Sequence, residues 1–197
     1  MTDQKTDEAL ISAAAKGDKR AFSALVKRYE DTVFRFSYKV CRDRAKAEEA
    51  LQDTFVNVYR KLDSYDGKSK FSTWLYSIVT NNCLMKHRRR KLDALLESLD
   101  EPPTNDDGTF VEHVARWDET PADLLIKKEL HARLDKAVLK LPVEYRIVFV
   151  LRDLEGKSGE ETARILGISE EAMKSRLRRA RAFLRAELTP YMTSTKR

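Results

Sequence analysis

The sequence predicts an all-α protein: two small helical domains joined by an acidic flexible linker. Three observations predict it. Apolar residues recur at i, i+3, i+4 and i+7 through most of the chain, the spacing that lines one face of a helix. There is no convincing run of alternating β-branched residues, and with six Gly and five Pro in 197 residues the periodic segments are rarely interrupted. Charge divides the chain into three: residues 1–95 carry a net +7, residues 96–121 a net −7 and residues 122–197 a net +6. The domains are therefore expected at 1–95 and 122–197, with the linker between them at 96–121.

In the first lobe, Phe22, Leu25, Val26 and Tyr29 keep the helical period, and Val33 to Cys41 continues as an apolar, aromatic-rich helix. Ala47, Leu51, Phe55, Val58 and Leu62 form a third stripe, whose opposite face carries Glu48, Glu49, Gln52, Asp53 and Asn57. A polar loop around Gly67 follows. A fourth helix then shows Phe71, Trp74, Leu75 and Ile78 on one face and ends in the basic run Lys86 to Lys91. The linker is expected from Glu101-Pro102-Pro103-Thr104-Asn105-Asp106-Asp107-Gly108, which has little to bury, and Pro121 closes it. In the second lobe, Leu130, Leu134, Val138 and Leu141 give a first helix that Pro142 ends or redirects. Val143 to Leu154 reads as a second helix. Ser158 caps a short third one, with Glu161 expected to reach back in a capping box. Gly167 breaks it at a left-handed position, and Ser169 caps a long basic helix running to about Leu188.

Composition narrows the function. The chain is 42% hydrophobic, enough for cores, and no stretch approaches the roughly 18 apolar residues of a membrane span. Residues 1–16 lack a signal-peptide core, so a cytoplasmic protein without direct membrane insertion is expected. Cys41 and Cys83 are the only cysteines, too few for a disulfide framework. They read as ordinary buried thiols, with a redox or metal role as the alternative. His87, His113 and His131 have no ligand-like spacing. No metal site, cofactor, nucleophile–base pair or phosphate loop is visible, and no enzymatic activity is expected. Two basic lobes suit a polyanion gripped at two places.

The strongest motif runs from Glu160 to Arg181. A short helix, a tight Gly167-Ile168-Ser169 turn and a long basic helix make a helix-turn-helix. Ala163, Leu166, Ile168, Met173 and Leu177 have the spacing to hold the two helices together. Lys174, Ser175, Arg178 and Arg179 are left on the other face, where Arg or Lys can donate to guanine O6 and N7 in the major groove. Arg176, Arg181 and Arg185 suit phosphates. A solvated basic face on a helical hairpin is the competing reading. In the first lobe, Tyr65, Lys68, Lys70, Phe71, Trp74, Tyr76, Ser77 and Asn81 supply aromatic rings, cations and polar groups of the kind that hold an unstacked base. Phe71, Trp74 and Leu75 also have the spacing of a buried stripe.

Two blocks of the chain resemble a known family. Leu141-Pro142-x-x-Tyr145-Arg146-x-Val148-Phe149-x-Leu151-Arg152-Asp153-Leu154-Glu155-Gly156, followed by Glu161-x-Ala163-x-x-Leu166-Gly167-Ile168-Ser169 and Lys174-Ser175-Arg176-Leu177-x-Arg179-Ala180-Arg181, resembles region 4 of the extracytoplasmic-function sigma factors of bacterial RNA polymerase. Ala47-Glu48-Glu49-Ala50-Leu51-Gln52-Asp53-Thr54-Phe55 and Phe71-Ser72-Thr73-Trp74-Leu75-Tyr76-x-Ile78-x-x-Asn81 resemble region 2.

The resemblance implies that Lys174, Ser175, Arg178 and Arg179, with Arg176 and Arg181, face the −35 promoter element, and that their domain sits on the flap of the β subunit. It implies that Glu49, Gln52 and Asp53 grip the β′ clamp helices. It places Tyr65, Lys68, Lys70, Phe71, Trp74, Ser77, Asn81 and Lys86 at the −10 element. It also implies core RNA polymerase, promoter DNA and an anti-sigma factor as partners, with nucleoid association when active. Gly159 stands where the family commonly has an aromatic residue, and Ala172-Met173 where it has a small residue and valine. The free protein is expected to be a monomer, with the two lobes loosely tethered unless a partner clamps them. The rival is a stand-alone helix-turn-helix regulator, which predicts a dimer on a palindromic site.

Overall fold

Asp18 and Asp43 set where two long helices of the first lobe begin. A computed structural model describes residues 2–97 and 132–194. In the first lobe α1 spans Thr2–Ala15, α2 Lys19–Cys41, α3 Arg44–Lys61 and α4 Phe71–Glu97, with a short 3₁₀ turn at Leu62–Ser64. Asp18 Oδ1 accepts from the backbone N–H of Arg20 at 2.8 Å and of Ala21 at 3.2 Å, which satisfies donors that the first turn leaves without partners. Asp43 does the same for Lys46 at 2.9 Å. The corner between α2 and α3 is turned by Arg42 in the left-handed region, φ 52°, its N–H donating to Tyr38 O at 2.7 Å.

The two apolar stretches expected as separate helices, around Phe22–Tyr29 and Val33–Cys41, are one helix, α2. No Gly or Pro interrupts it, so the apolar stripe carries straight through. Helix α1 has no counterpart among the expected elements. Its apolar residues, Leu10, Ile11, Ala13 and Ala14, cluster in its last turns and leave too little period to stand out. Asp7 anchors it, accepting from Arg28 Nη1 and Tyr29 Oη, both at 2.5 Å. Leu25, Val33, Phe36, Val40, Val58, Leu75 and Val79 form the centre of the lobe's core.

The second lobe contains α5 (residues 132–140), α6 (Val143–Phe149), α7 (Gly159–Leu166) and α8 (Glu170–Ser194). The expected single helix Val143–Leu154 is two segments. It winds as α to Phe149, then widens into a π turn over Val150–Leu154. Glu155 N–H reaches back to Val150 O at 2.9 Å. Such turns insert a residue and re-aim the chain beyond them. The lobe has two small cores of its own. Ala137, Val138, Leu141, Phe149, Ala180 and Leu184 join α5, α6 and α8. Val148, Ala163, Met173 and Leu177, with Leu166 and Ile168, join α7 to α8.

A third apolar set of this lobe, Val143, Ile147, Val150, Leu151 and Ile165, packs into the core of the first lobe. The expectation of loosely tethered lobes is therefore corrected. An apolar face on α6 and the π turn must be covered, and α2 and α4 cover it. The expected linker, residues 96–121, lies almost wholly outside the described residues.

Candidate functional site

The helix-turn-helix is built by local chemistry. Ser158 Oγ accepts from Glu161 N–H at 3.0 Å. The other half of the expected capping box is absent, because the Glu161 carboxylate accepts instead from Thr73 Oγ1 at 2.9 Å and Lys157 Nζ at 3.1 Å. Helix α7 ends at Gly167, φ 61°, where a side chain would be strained. Ile168 N–H returns to Ala163 O at 3.1 Å, and Ser169 Oγ accepts from Ala172 N–H at 3.1 Å to start α8. Glu171, at the positive end of α8, has its pKa lowered by backbone and Ser169 hydrogen bonds.

This corner orients α8. With Met173, Leu177 and Ala180 buried, Lys174, Arg178, Arg179 and Arg181 are exposed, while Ser175 and Arg176 are half-buried. A shallow trough on the outer face is lined by Lys174, Leu177, Arg178, Arg181, Ala182 and Arg185. Four cations along one helix face suit a phosphate backbone and a groove edge. Several are held in place. Lys174 lies 3.4 Å from Glu170, and Arg179 Nη1 donates to Tyr145 Oη at 3.1 Å. Arg181 makes a two-pronged contact with Asp153 at 2.9 and 2.5 Å, which raises its pKa. The π turn is what carries Asp153.

In the first lobe the loop before α4 is closed by its own residues. Tyr65 Oη donates to Ser69 O at 2.6 Å, Lys68 N–H donates to Asp66 Oδ1 at 3.1 Å, and Gly67 takes φ 71°. The Lys68 ammonium, 2.9 Å from Asp66, holds that carboxyl below the usual range. Tyr65, Phe71 and Trp74 form a ring cluster with centroids 5.4–5.6 Å apart. Burial, then the negative charges of Glu8, Asp66 and Asp7, raise the pKa of Tyr65. Phe71 is buried in the core, whereas Trp74 is half-buried. Trp74, Ser77 and Asn81 share a helix face by spacing; Ser77 Oγ donates to Trp74 O at 2.6 Å, and Asn81 is exposed, as is Lys70.

Lys86 does not join that row. It turns to α3, with Nζ 2.7 Å from Asp53 Oδ2 and 3.0 Å from Glu49 Oε1. Glu49, Gln52 and Asp53 are exposed on α3. Two apolar residues extend that ridge beyond those singled out from the sequence, Val56 at 48% and Tyr59 at 54% exposure. Their signal was available, since they stand three and seven positions beyond Asp53 and Gln52. Cys41 and Cys83, distant in sequence, are neighbours between α2 and α4. A hydrogen bond with Cys41, then burial, pushes the Cys83 thiol up. Among the described residues no cluster of His, Cys, Asp and Glu could hold a metal ion, and no helix is long and apolar enough to cross a membrane.

The arrangement matches known proteins. Residues 25–92 fit the family model for sigma-70 region 2, and residues 131–184 the one for sigma-70 region 4. The chain is 33% identical over 178 residues to the ECF RNA polymerase sigma factor SigW of Bacillus subtilis, covering 90% of this chain and 94% of that one. It is 32% identical over 197 residues to the ECF RNA polymerase sigma-E factor of Haemophilus influenzae, covering 98% of this chain and all (100%) of the relative. Among solved structures it resembles CnrH in complex with the cytosolic domain of CnrY, with a TM-score of 0.63 at 28% identity, covering 94% of this chain and 98% of CnrH.

Proposed function

This chain belongs to the extracytoplasmic-function sigma factors of the sigma-70 family, and from that premise we propose how its surfaces divide the work of directing promoter-specific transcription initiation. The α3 ridge of Glu49, Gln52 and Asp53 holds the β′ clamp helices of core RNA polymerase, with Val56 and Tyr59 adding apolar contact. The second lobe sits on the β flap. Helix α8 reads the −35 element through Lys174, Ser175, Arg178 and Arg179, while Arg176, Arg181 and Arg185 meet phosphates.

The −10 element falls to the Tyr65–Lys70 loop and the Trp74, Ser77, Asn81 face of α4. Flipping a base costs a few kcal/mol. Stacking on an aromatic ring returns about 1–3 kcal/mol per base, and Lys68 and Lys70 lie at hand for the backbone. Phe71 acts from beneath, as the core support of Tyr65 and Trp74. The protein contributes binding energy and leaves the bond chemistry to the polymerase. It acts in the cytoplasm with the nucleoid. Because CnrH was solved with the cytosolic domain of CnrY, a protein partner of the anti-sigma kind is proposed here as well.

One observation carries this reading: two surfaces suited to nucleic acid, on separate lobes and in the family's order, with an acidic ridge beside the first. In vitro transcription on a genomic promoter library, with core polymerase alone and with this protein added, tests it. New discrete start sites with paired −35 and −10 elements are expected. Binding to palindromic sites as a dimer, with no added initiation, would instead establish a stand-alone regulator.

A further inference from the structure

Helix α8 is pressed onto α5 and α6 along Ala180 and Leu184, both buried. A helix turns about 100° per residue, so the residues on either side of Ala180 leave the core on opposite flanks of the outer face. Both are arginines, and each is held by a different chemistry. On one flank, Arg181 donates through Nε and Nη2 to the Asp153 carboxylate at 2.9 and 2.5 Å. On the other, Arg179 Nη1 donates to the Tyr145 hydroxyl at 3.1 Å. Arg179 is exposed, whereas Tyr145 is half-buried, its ring packed on the core that joins α5, α6 and α8. Tyr145 stands in the first turn of α6, where its N–H donates to Pro142 O at 2.9 Å.

We propose that Tyr145 is a specificity-determining positioning residue of the −35 site, whose hydroxyl sets Arg179 for one guanine. The proposal rests on the −35 reading of α8 and names a residue of α6 that sharpens it. A bidentate contact with guanine O6 and N7 requires the plane of the guanidinium to be fixed, and a free arginine side chain has several rotatable bonds to fix. A carboxylate would fix it too, but would set a negative charge beside it, as Asp153 does beside Arg181. A hydroxyl accepts one N–H, leaves the positive charge uncancelled and leaves the guanidinium further donors. Because the Tyr145 ring is seated on a core, its oxygen is a fixed point and not the tip of a second mobile side chain. Preorganisation of this kind acts on the one base that Arg179 meets and not on phosphates elsewhere along the duplex. Tyr145 itself touches no base; it acts through Arg179.

The test uses holoenzyme reconstituted from core RNA polymerase and the full chain, as wild type, Tyr145→Phe, Arg179→Ala and the double variant. The probe is a pool of promoter duplexes randomised across the −35 element, selected by binding and sequenced. Arg179→Ala is expected to erase a guanine preference at one position. Tyr145→Phe, which keeps the ring and removes the oxygen, is expected to weaken that same preference about fivefold, the factor that a hydrogen bond of ordinary strength supplies. Preferences at the other positions, affinity for the unselected pool and its dependence on salt are expected to stay as in wild type, because no phosphate contact is lost. In the double variant Tyr145→Phe is expected to add nothing. A guanine preference untouched by Tyr145→Phe overturns the proposal. So does a loss spread evenly over the element, which is what a loosened lobe would give, or a loss that persists without Arg179. If Arg179→Ala erases no base preference, the −35 reading of Arg179 fails and takes the proposal with it; if wild-type holoenzyme selects no sequence at all, the sigma-factor reading itself fails.

Discussion

Lys86 Nζ stands 2.7 Å from Asp53 Oδ2 and 3.0 Å from Glu49 Oε1, so a cation expected on the promoter side is held by the acids expected on the polymerase side. The two carboxylates are half-exposed, but the Lys86 ammonium between them is buried, so its charge depends on them. Asp53→Arg should therefore lower the unfolding midpoint, with Glu49 left as the ammonium's partner. It should weaken core polymerase binding strongly, because a like charge at an interface costs on the order of several kcal/mol. DNA binding by the second lobe should survive. Core binding measured alongside a thermal melt checks both parts, and unaltered core affinity would remove Asp53 from the contact.

Gly159 and Met173, two of the chain's departures from the family pattern, touch. A Cβ built on Gly159 would lie 3.1 Å from Met173 Cε, and Met173 is almost wholly buried in the α7–α8 core. The methionine fills space that an aromatic residue at 159 would claim. Gly159→Phe alone should destabilise by roughly 1–3 kcal/mol through overpacking. Adding Met173→Val should recover most of that loss. A double-mutant cycle in urea should give a coupling above about 0.5 kcal/mol; strictly additive effects would mean the two departures are independent.

Glu161 makes the fold sensitive to acid. Its burial would raise the pKa, but hydrogen bonds from Lys157 and Thr73, with the charges of Lys157 and Lys70, outweigh it and leave the pKa below its ordinary 4.5. A depressed folded-state pKa contributes stability that is present above the unfolded value and lost as pH falls through the folded one. Stability should therefore decline as pH drops below about 4.5, and Glu161→Gln should flatten that decline. Urea midpoints collected between neutral and acid pH measure the difference.

Arg179 is held by a neighbour, its guanidinium donating to the Tyr145 hydroxyl at 3.1 Å. Arg179→Ala should cost roughly 1–3 kcal/mol at a −35 site containing guanine, and little on random DNA. An equal loss on both would make it a phosphate contact.

Asn81 is exposed on α4 beyond Trp74 and Ser77. Asn81→Ala should slow promoter opening more than formation of the closed complex. Stopped-flow fluorescence of a base analogue in the −10 element tracks opening directly, and an unchanged opening rate would leave Asn81 a surface residue without a promoter role.

Most helices were legible because their signals are local. Apolar spacing, Ser158, Ser169 and Gly167 act within a few residues of themselves, so the helix-turn-helix could be drawn before any contact was known. Helix α1 was not legible, since its apolar residues occupy only its last turns. Nor was the π turn, because the hydrophobic run Val143–Leu154 suits one helix as well as two segments.

Pattern and chain order are enough for the two-lobed helical plan, the family and the residues that carry cations, rings and acids. Tertiary structure alone decided which of those groups stay available. It turned Lys86 to Asp53, drew Glu161 from its capping box to Thr73, and set Glu155 against Lys39 and Tyr76. Distance along the chain is the cause: the hydrogen bonds between the lobes join residues 79 to 116 positions apart, and no local period or cap encodes which buried face will meet which.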